Sequence, residues 1–167
     1  MGARSMVSRY ILPLLLVTAL AACGGAPPSV RQAGLTCAPF ARELSGIALY
    51  GDAATWWDGA RGQYRRGNRP EIGGVLVFRR SSRLPSGHVA VVSRLLSPRQ
   101  IEVIQANWVP EQVDRDQLVV DVSEHNDWTS VRVWYSPSRQ IGGHAYETFG
   151  FVLPPRPATY AELVRRI

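Results

Sequence analysis

The chain predicts an α+β fold, with short helical segments early and strands through the rest. Three observations carry this. Apolar residues at helical spacing occur in two short stretches between Cys37 and Arg61. From Gly74 onward they come as short runs bounded by Gly, Pro and polar clusters, the pattern of strands. The length, 167 residues, suffices for one domain with a real core.

Composition is that of an ordinary globular protein and excludes disordered, collagenous and disulfide-dense classes. All 19 basic residues are arginine, a one-sidedness that reflects coding bias more than a binding surface. Arg65, Arg66 and Arg69, then Arg79, Arg80 and Arg83, are only loose clusters and form no nucleic-acid motif. No nucleic-acid partner is expected; the charge supports a mild attraction to an anionic surface such as a wall or lipid headgroups.

The N-terminus points to export. Arg4 and Arg9 precede the apolar run Ile11–Leu20, which is too short to span a bilayer as a mature helix. Leu20-Ala-Ala-Cys23 then looks like the lipobox of bacterial lipoproteins. That resemblance implies cleavage before Cys23 and lipidation of it, with residues 1–22 as signal peptide. The alternatives are a plain signal peptide or an uncleaved apolar segment. Removal of residues 1–22 leaves 17 arginines against 13 acids, a net charge of +4. Residues 23–35, with Gly24-Gly-Ala-Pro-Pro-Ser29, read as a flexible tether, and the domain as residues 36–167.

Two cysteines are present, Cys23 and Cys37. If Cys23 carries lipid it cannot pair with Cys37, which becomes a lone thiol in an oxidising compartment. Cys37 opens Cys37-Ala-Pro-Phe-Ala-Arg-Glu-Leu-Ser45-Gly46, a helix with Pro39 in its first turn, Phe40, Ala41 and Leu44 facing inward, and Gly46 as the stop. The positive helix end favours thiolate, so Cys37 is a candidate nucleophile. The alternative is a buried cysteine acting as a small hydrophobe.

A second helix is expected over Ala53–Arg61, ended by Gly62–Gly67. Strands are expected at Gly74–Phe78, His88–Leu95, Gln100–Trp108, Leu118–Val122, Ser130–Tyr135 and Thr148–Val152. Thr159 and Glu162 have capping-box spacing for a last short helix.

One hairpin carries the chemistry. With Leu96-Ser-Pro-Arg99 as the turn and Leu95 opposite Gln100, His88 faces Asn107 and Ala90 faces Gln105. Opposed side chains share a face about 5 Å apart at Cβ. Asn107 then accepts the imidazole N–H and fixes its tautomer. Cysteine, imidazole and amide are the parts of a thiol hydrolase of the Cys-His-Asn type. Cys37 would attack an amide carbonyl, with its own N–H stabilising the oxyanion, and His88 would protonate the leaving amine.

These residues resemble the CHAP domain, the cysteine- and histidine-dependent amidohydrolase/peptidase. The similar pieces are Cys37-Ala-Pro-Phe-Ala-Arg, Ser45-Gly-Ile, Gly51-Asp-Ala, Trp56-Trp57, Gly73-Gly-Val-Leu-Val-Phe78, Gly87-His-Val-Ala-Val-Val92 and Ile104-Gln-Ala-Asn-Trp108, in family order. The resemblance implies a papain-like fold, with N-terminal helices that carry the cysteine packed on an antiparallel sheet or half-barrel. It implies an endopeptidase or amidase acting on peptidoglycan through a thioester acyl-enzyme, with Cys37 as nucleophile, His88 as base and Asn107 as orienting amide. Gln105 stands where many members carry an acid. Residues 29–36 hold no acid where some members bind calcium, so no metal and no cofactor are expected. The alternative is a catalytically silent module that binds wall or a partner protein.

Trp57, Trp108 and Gln105 are candidates for a substrate groove, against the alternative that the aromatics are core. His144 is the rival base and His125 reads as a solvated loop residue. Asp121, Asn126 and Asp127 read as turn formers. The expected protein is a monomer held by its lipid in the cell envelope, facing the periplasm. Gly24, in place of an aspartate after the acylated cysteine, favours the outer membrane.

Overall fold

The computed structural model describes residues 1–2 and 35–167. The expected signal peptide beyond Gly2, the tether before Leu35, and Cys23 lie outside the described residues. No described helix is long and apolar enough to cross a membrane.

Helix α1, Cys37–Ser45, forms where the spacing predicts it, with Phe40, Ala41 and Leu44 all buried. Gly46 ends it in the left-handed region at φ 76°, and its N–H bonds back to Arg42 O. The expected second helix divides into a 3-10 turn over Ala53–Thr55 and the single turn α2, Trp56–Gly59. Only Trp56 of its tryptophan pair is fully buried.

Eight strands follow: β1 Arg65–Gly67, β2 Val75–Phe78, β3 His88–Ser97, β4 Gln100–Ala106, β5 Val113–Asp121, β6 Ser130–Tyr135, β7 Gln140–Ile141 and β8 Tyr146–Leu153. Their order is β1-β8-β2-β3-β4-β5-β6-β7, and every pairing is antiparallel. A further β6–β8 pairing joins β8, β2, β3, β4, β5 and β6 into a closed ring, so the sheet goes beyond a half-barrel. Helix α3, Tyr160–Val164, starts with the expected Thr159–Glu162 capping box.

Strand alternation separates two cores. Val75, Val77, Val89, Val91, Ile104 and Ala106 point outward and pack with Phe40, Ala41 and Leu44 of α1, Trp56 and Leu163. Leu76, Phe78, Ala90, Val92, Val103, Val119 and Phe151 point into the ring around Trp128. Truncating Leu44 to Ala would cost about 2–5 kcal/mol, the usual range for a fully buried leucine. The result is α+β, with helices on the outer face of an antiparallel sheet.

The β3–β4 turn differs from the expected one. Ser97 pairs with Gln100, leaving Pro98 and Arg99 as the turn, and the register then shifts twice along β3. These irregularities insert extra residues into β3. By Val92↔Val103 and Val91↔Ile104 the expected alignment is recovered, and the β3–β4 ladder ends there.

Candidate active site

The site begins at a glycine. Gly87 has φ +73°, and a Cβ there would stand 2.6 Å from Ala54 Cβ and 2.8 Å from Phe78 O. Its smallness lets the start of β3 press against the 3-10 turn, where Ala54 N–H bonds Ser86 O at 3.0 Å. His88, the next residue, points into the end of the ring and is 3% exposed. Phe78 and Trp108 meet its ring edge-on, with centroids 5.4 and 5.1 Å away.

Gln105, not Asn107, holds the imidazole. His88 Nε2 lies 2.9 Å from Gln105 Oε1, and Nδ1 makes no hydrogen bond among the described residues. Gln105 reaches His88 diagonally from the position opposite Ala90. Behind it, Gln105 Nε2 donates to Gln117 Oε1 at 2.6 Å, and Gln117 Nε2 donates to Ser136 Oγ at 2.7 Å. Ser136 Oγ in turn donates to Asp114 Oδ1 at 3.3 Å. Gln105 and Gln117 are 0% and 4% exposed, so their amides depend on each other for partners. Burial lowers the His88 pKa to about 4, and the Gln105 bond opposes this only in part. A neutral amide supplies no charge to hold an imidazolium, so the ring is neutral across physiological pH.

Asn107 instead forms a turn. It has φ 62°, is exposed, and its Oδ1 accepts the Glu111 N–H at 3.0 Å. A left-handed residue leaves the β4 ladder after Ala106, which swings the Asn107 side chain away from its nominal partner.

Cys37 sits half-buried in the first turn of α1. Backbone hydrogen bonds from Val89, Ala38 and Cys37 itself favour thiolate, but burial dominates and pushes the thiol above its ordinary value. Desolvation therefore outweighs the helix end, contrary to the expected thiolate. Cys37 packs against the core cluster that includes Val89, the residue next to His88. No hydrogen bond joins Cys37 to His88 among the described residues.

A cleft of about 510 Å³ opens beside Trp108. Arg83, Asn107, Trp108, Tyr135, His144 and Tyr146 are among its lining residues, and no Asp or Glu lines it. Trp108 and Tyr146 meet edge-on at 5.0 Å. Neither His88 nor Cys37 lines the cleft, and Trp108, which packs on the His88 ring, is the residue that the cleft and His88 share. Trp57 is elsewhere: it stacks on Phe149 at 5.9 Å beneath the Arg66 guanidinium. Gln105 is too deeply buried to touch a ligand in the groove. His144 packs on Tyr146 at the cleft edge, and His125 is exposed in the β5–β6 loop. Asp121 and Asp127 each accept N–H and O–H bonds from the residue two positions on, Ser123 and Thr129. Among the described residues no three His, Cys, Asp or Glu side chains gather to hold a metal.

Sequence reading misses Asp114, Gln117 and Ser136. Asp114 and Gln117 are three apart, the wrong spacing for one face of a regular strand. Asp116 lies between them at φ 51°, and the β4–β5 register shifts there, so both turn inward.

Residues 28–107 match the family model of the CHAP domain. CHAP domains are in general hydrolases that act on peptidoglycan. The match ends at Asn107, so most of the cleft wall and the network behind Gln105 lie beyond it. No curated protein matches the chain.

Proposed function

We propose that this protein is a peptidoglycan amide-bond hydrolase, an endopeptidase or amidase, with Cys37 as nucleophile and His88 as base on a papain-like scaffold. One observation carries the reading. His88 Nε2 is occupied by Gln105, which makes Nδ1 the basic nitrogen, and Cys37 packs on the core cluster that includes Val89, the residue next to His88.

Both groups rest neutral, so the proton moves during attack. The Cys37 sulfur bonds to the amide carbon as its proton passes to Nδ1, and the oxyanion falls to the Cys37 N–H at the helix start. His88 then protonates the leaving amine, the C–N bond breaks and a thioester remains. Water attacks the thioester, giving its proton to His88, and the proton returns to sulfur as the acid leaves. Gln105 takes the orienting role expected of Asn107. The cleft beside Trp108, with Arg83 and no acid in its lining, suits a peptide bearing a free carboxylate.

The same reading takes Cys23 as the lipid anchor of a monomeric envelope protein that faces the periplasm from the outer membrane. An intact mass heavier than the chain from Cys23 by a diacylglyceryl group and an acyl chain is the expected result. An unmodified Cys23 would remove the anchor from the proposal.

A second reading, a silent wall-binding module, is favoured by the missing Cys37–His88 hydrogen bond. Purified protein digesting peptidoglycan separates the two. New amine ends, lost in Cys37→Ala, support the hydrolase. Equal release by the variant overturns the mechanism, and wall binding without release supports the module.

A further inference from the structure

The side chains behind His88 form a chain with one direction. Reading from its far end, the Asp114 carboxylate accepts from Ser136 Oγ at 3.3 Å, Ser136 Oγ accepts from Gln117 Nε2 at 2.7 Å, and Gln117 Oε1 accepts from Gln105 Nε2 at 2.6 Å. Gln105 Oε1 is thereby left as the atom that faces His88 Nε2 at 2.9 Å. An amide presents donor and acceptor at opposite ends, so reversing one amide reverses the next. An ionised carboxylate only accepts, and it sits at the terminus of the series. Its second oxygen, Oδ2, is buried without a partner, and Ser136 is its one side-chain partner among the described residues. Burial raises the carboxyl above its ordinary value, and the Ser136 hydroxyl and the Val109 backbone oppose the rise.

We propose that Asp114, Ser136 and Gln117 are positioning residues that act through Gln105 to hold His88 in its Nε2–H tautomer, with the Nδ1 lone pair left for the thiol. The inference rests on the reading of His88 as base. The three residues come from β5, its bulge, and the turn after β6, all beyond the stretch that matches the CHAP domain. The same turn carries Ser138, and Tyr135 precedes it; both line the cleft. The strands that build the cleft wall thus also hold the base.

The amides themselves would tolerate either direction, and only the acidic end selects one. Asp114→Asn keeps size and shape but presents a donor as well as an acceptor. Ser136→Ala cuts the chain one step nearer His88. Gln117→Glu places a pure acceptor directly against Gln105 Nε2, and so selects the same direction without Asp114.

The test reads the His88 imidazole nitrogen shifts in the isotopically labelled full chain near neutral pH, with a thermal melt to show folding. Wild type is expected as Nε2–H alone. Folded Asp114→Asn and Ser136→Ala are expected to show the Nδ1–H form as a second population, with kcat reduced by the fraction lost and KM unchanged. Gln117→Glu in the Asp114→Asn background is expected to restore Nε2–H. A wild-type Nδ1–H ring overturns the proposal, as does an unchanged tautomer in either folded variant or failure of the Gln117→Glu rescue. If Asp114→Asn does not fold, Ser136→Ala decides. Tautomer shifts as expected with full activity in Cys37→Ala would uphold the positioning network and remove the hydrolase mechanism.

Discussion

His88 and Gln105 meet through one hydrogen bond, Nε2 to Oε1 at 2.9 Å, made diagonally across the β3–β4 ladder inside the end of the barrel. The partner is neutral and the ring is buried, so the imidazole pKa falls to about 4. In the unfolded chain it titrates near 6.5. Between those values the unfolded state binds the extra proton, so stability is full above about pH 6.5 and is lost as pH falls towards 4. The loss from this group is about 3 kcal/mol. Chemical denaturation across that range checks it, with His88→Gln as the control: the variant's profile should be flatter, and parallel profiles would refute the assignment.

A carboxylate in place of the Gln105 amide changes the electrostatics directly. Gln105→Glu should raise the His88 titration above its wild-type value, because a negative neighbour favours imidazolium. The two Gln117 polar ends can exchange to donate to the new acid. An NMR titration of the ring reads the shift, and a midpoint still near 4 in the folded variant would refute it.

Cys37 gives the matching prediction on the thiol side. Burial dominates its environment, so alkylation by iodoacetamide should rise with a midpoint above the ordinary thiol value of about 8.5. In Gln105→Glu, an imidazolium next to Val89 should bring that midpoint down. A wild-type midpoint below the ordinary value would mean that the helix end outweighs desolvation here.

The large features were legible because they are local. Phe40, Ala41 and Leu44 before Gly46 specify α1, and the Thr159–Glu162 spacing specifies the last cap. The positions of Cys37, in the first turn of α1, and of His88, buried at the start of β3, were legible for the same reason. What failed was parity. The β3 bulges were invisible, though Val92↔Val103 and Val91↔Ile104 keep the expected register. The left-handed turn at Asn107 exchanged one amide for another two residues away, and the bulge at Asp116 hid Asp114 and Gln117. Each of these is decided by how strands meet, which no single stretch encodes.

Gly87 tests how His88 is delivered. A side chain there would need a left-handed backbone, about 1–2 kcal/mol unfavourable for an L-residue. It would also meet Ala54 Cβ at 2.6 Å, so the strand start or the 3-10 turn must shift. Gly87→Ala should therefore lose more than the backbone cost alone in a thermal or denaturant melt, and should lower kcat in protein that remains folded. A variant as stable and active as wild type would show that this close approach does not set the site.

Arg83 tests what the cleft receives. It is exposed at the lining, close enough to Tyr146 for its charge to oppose the rise that burial imposes on that phenol. With no Asp or Glu in the lining, an incoming carboxylate would meet the guanidinium without competition from within the cleft. A charge-assisted hydrogen bond contributes about 1.5–3 kcal/mol, and exposure puts this one at the lower end, near ten-fold in affinity. Arg83→Gln should then raise KM about ten-fold for a stem peptide with a free carboxylate and leave kcat nearly unchanged. For the same peptide with that carboxylate amidated, wild type and variant should converge. An Arg83→Gln effect confined to kcat, or one that persists on the amidated peptide, would move the carboxylate out of this cleft and leave Arg83 a solvated surface residue.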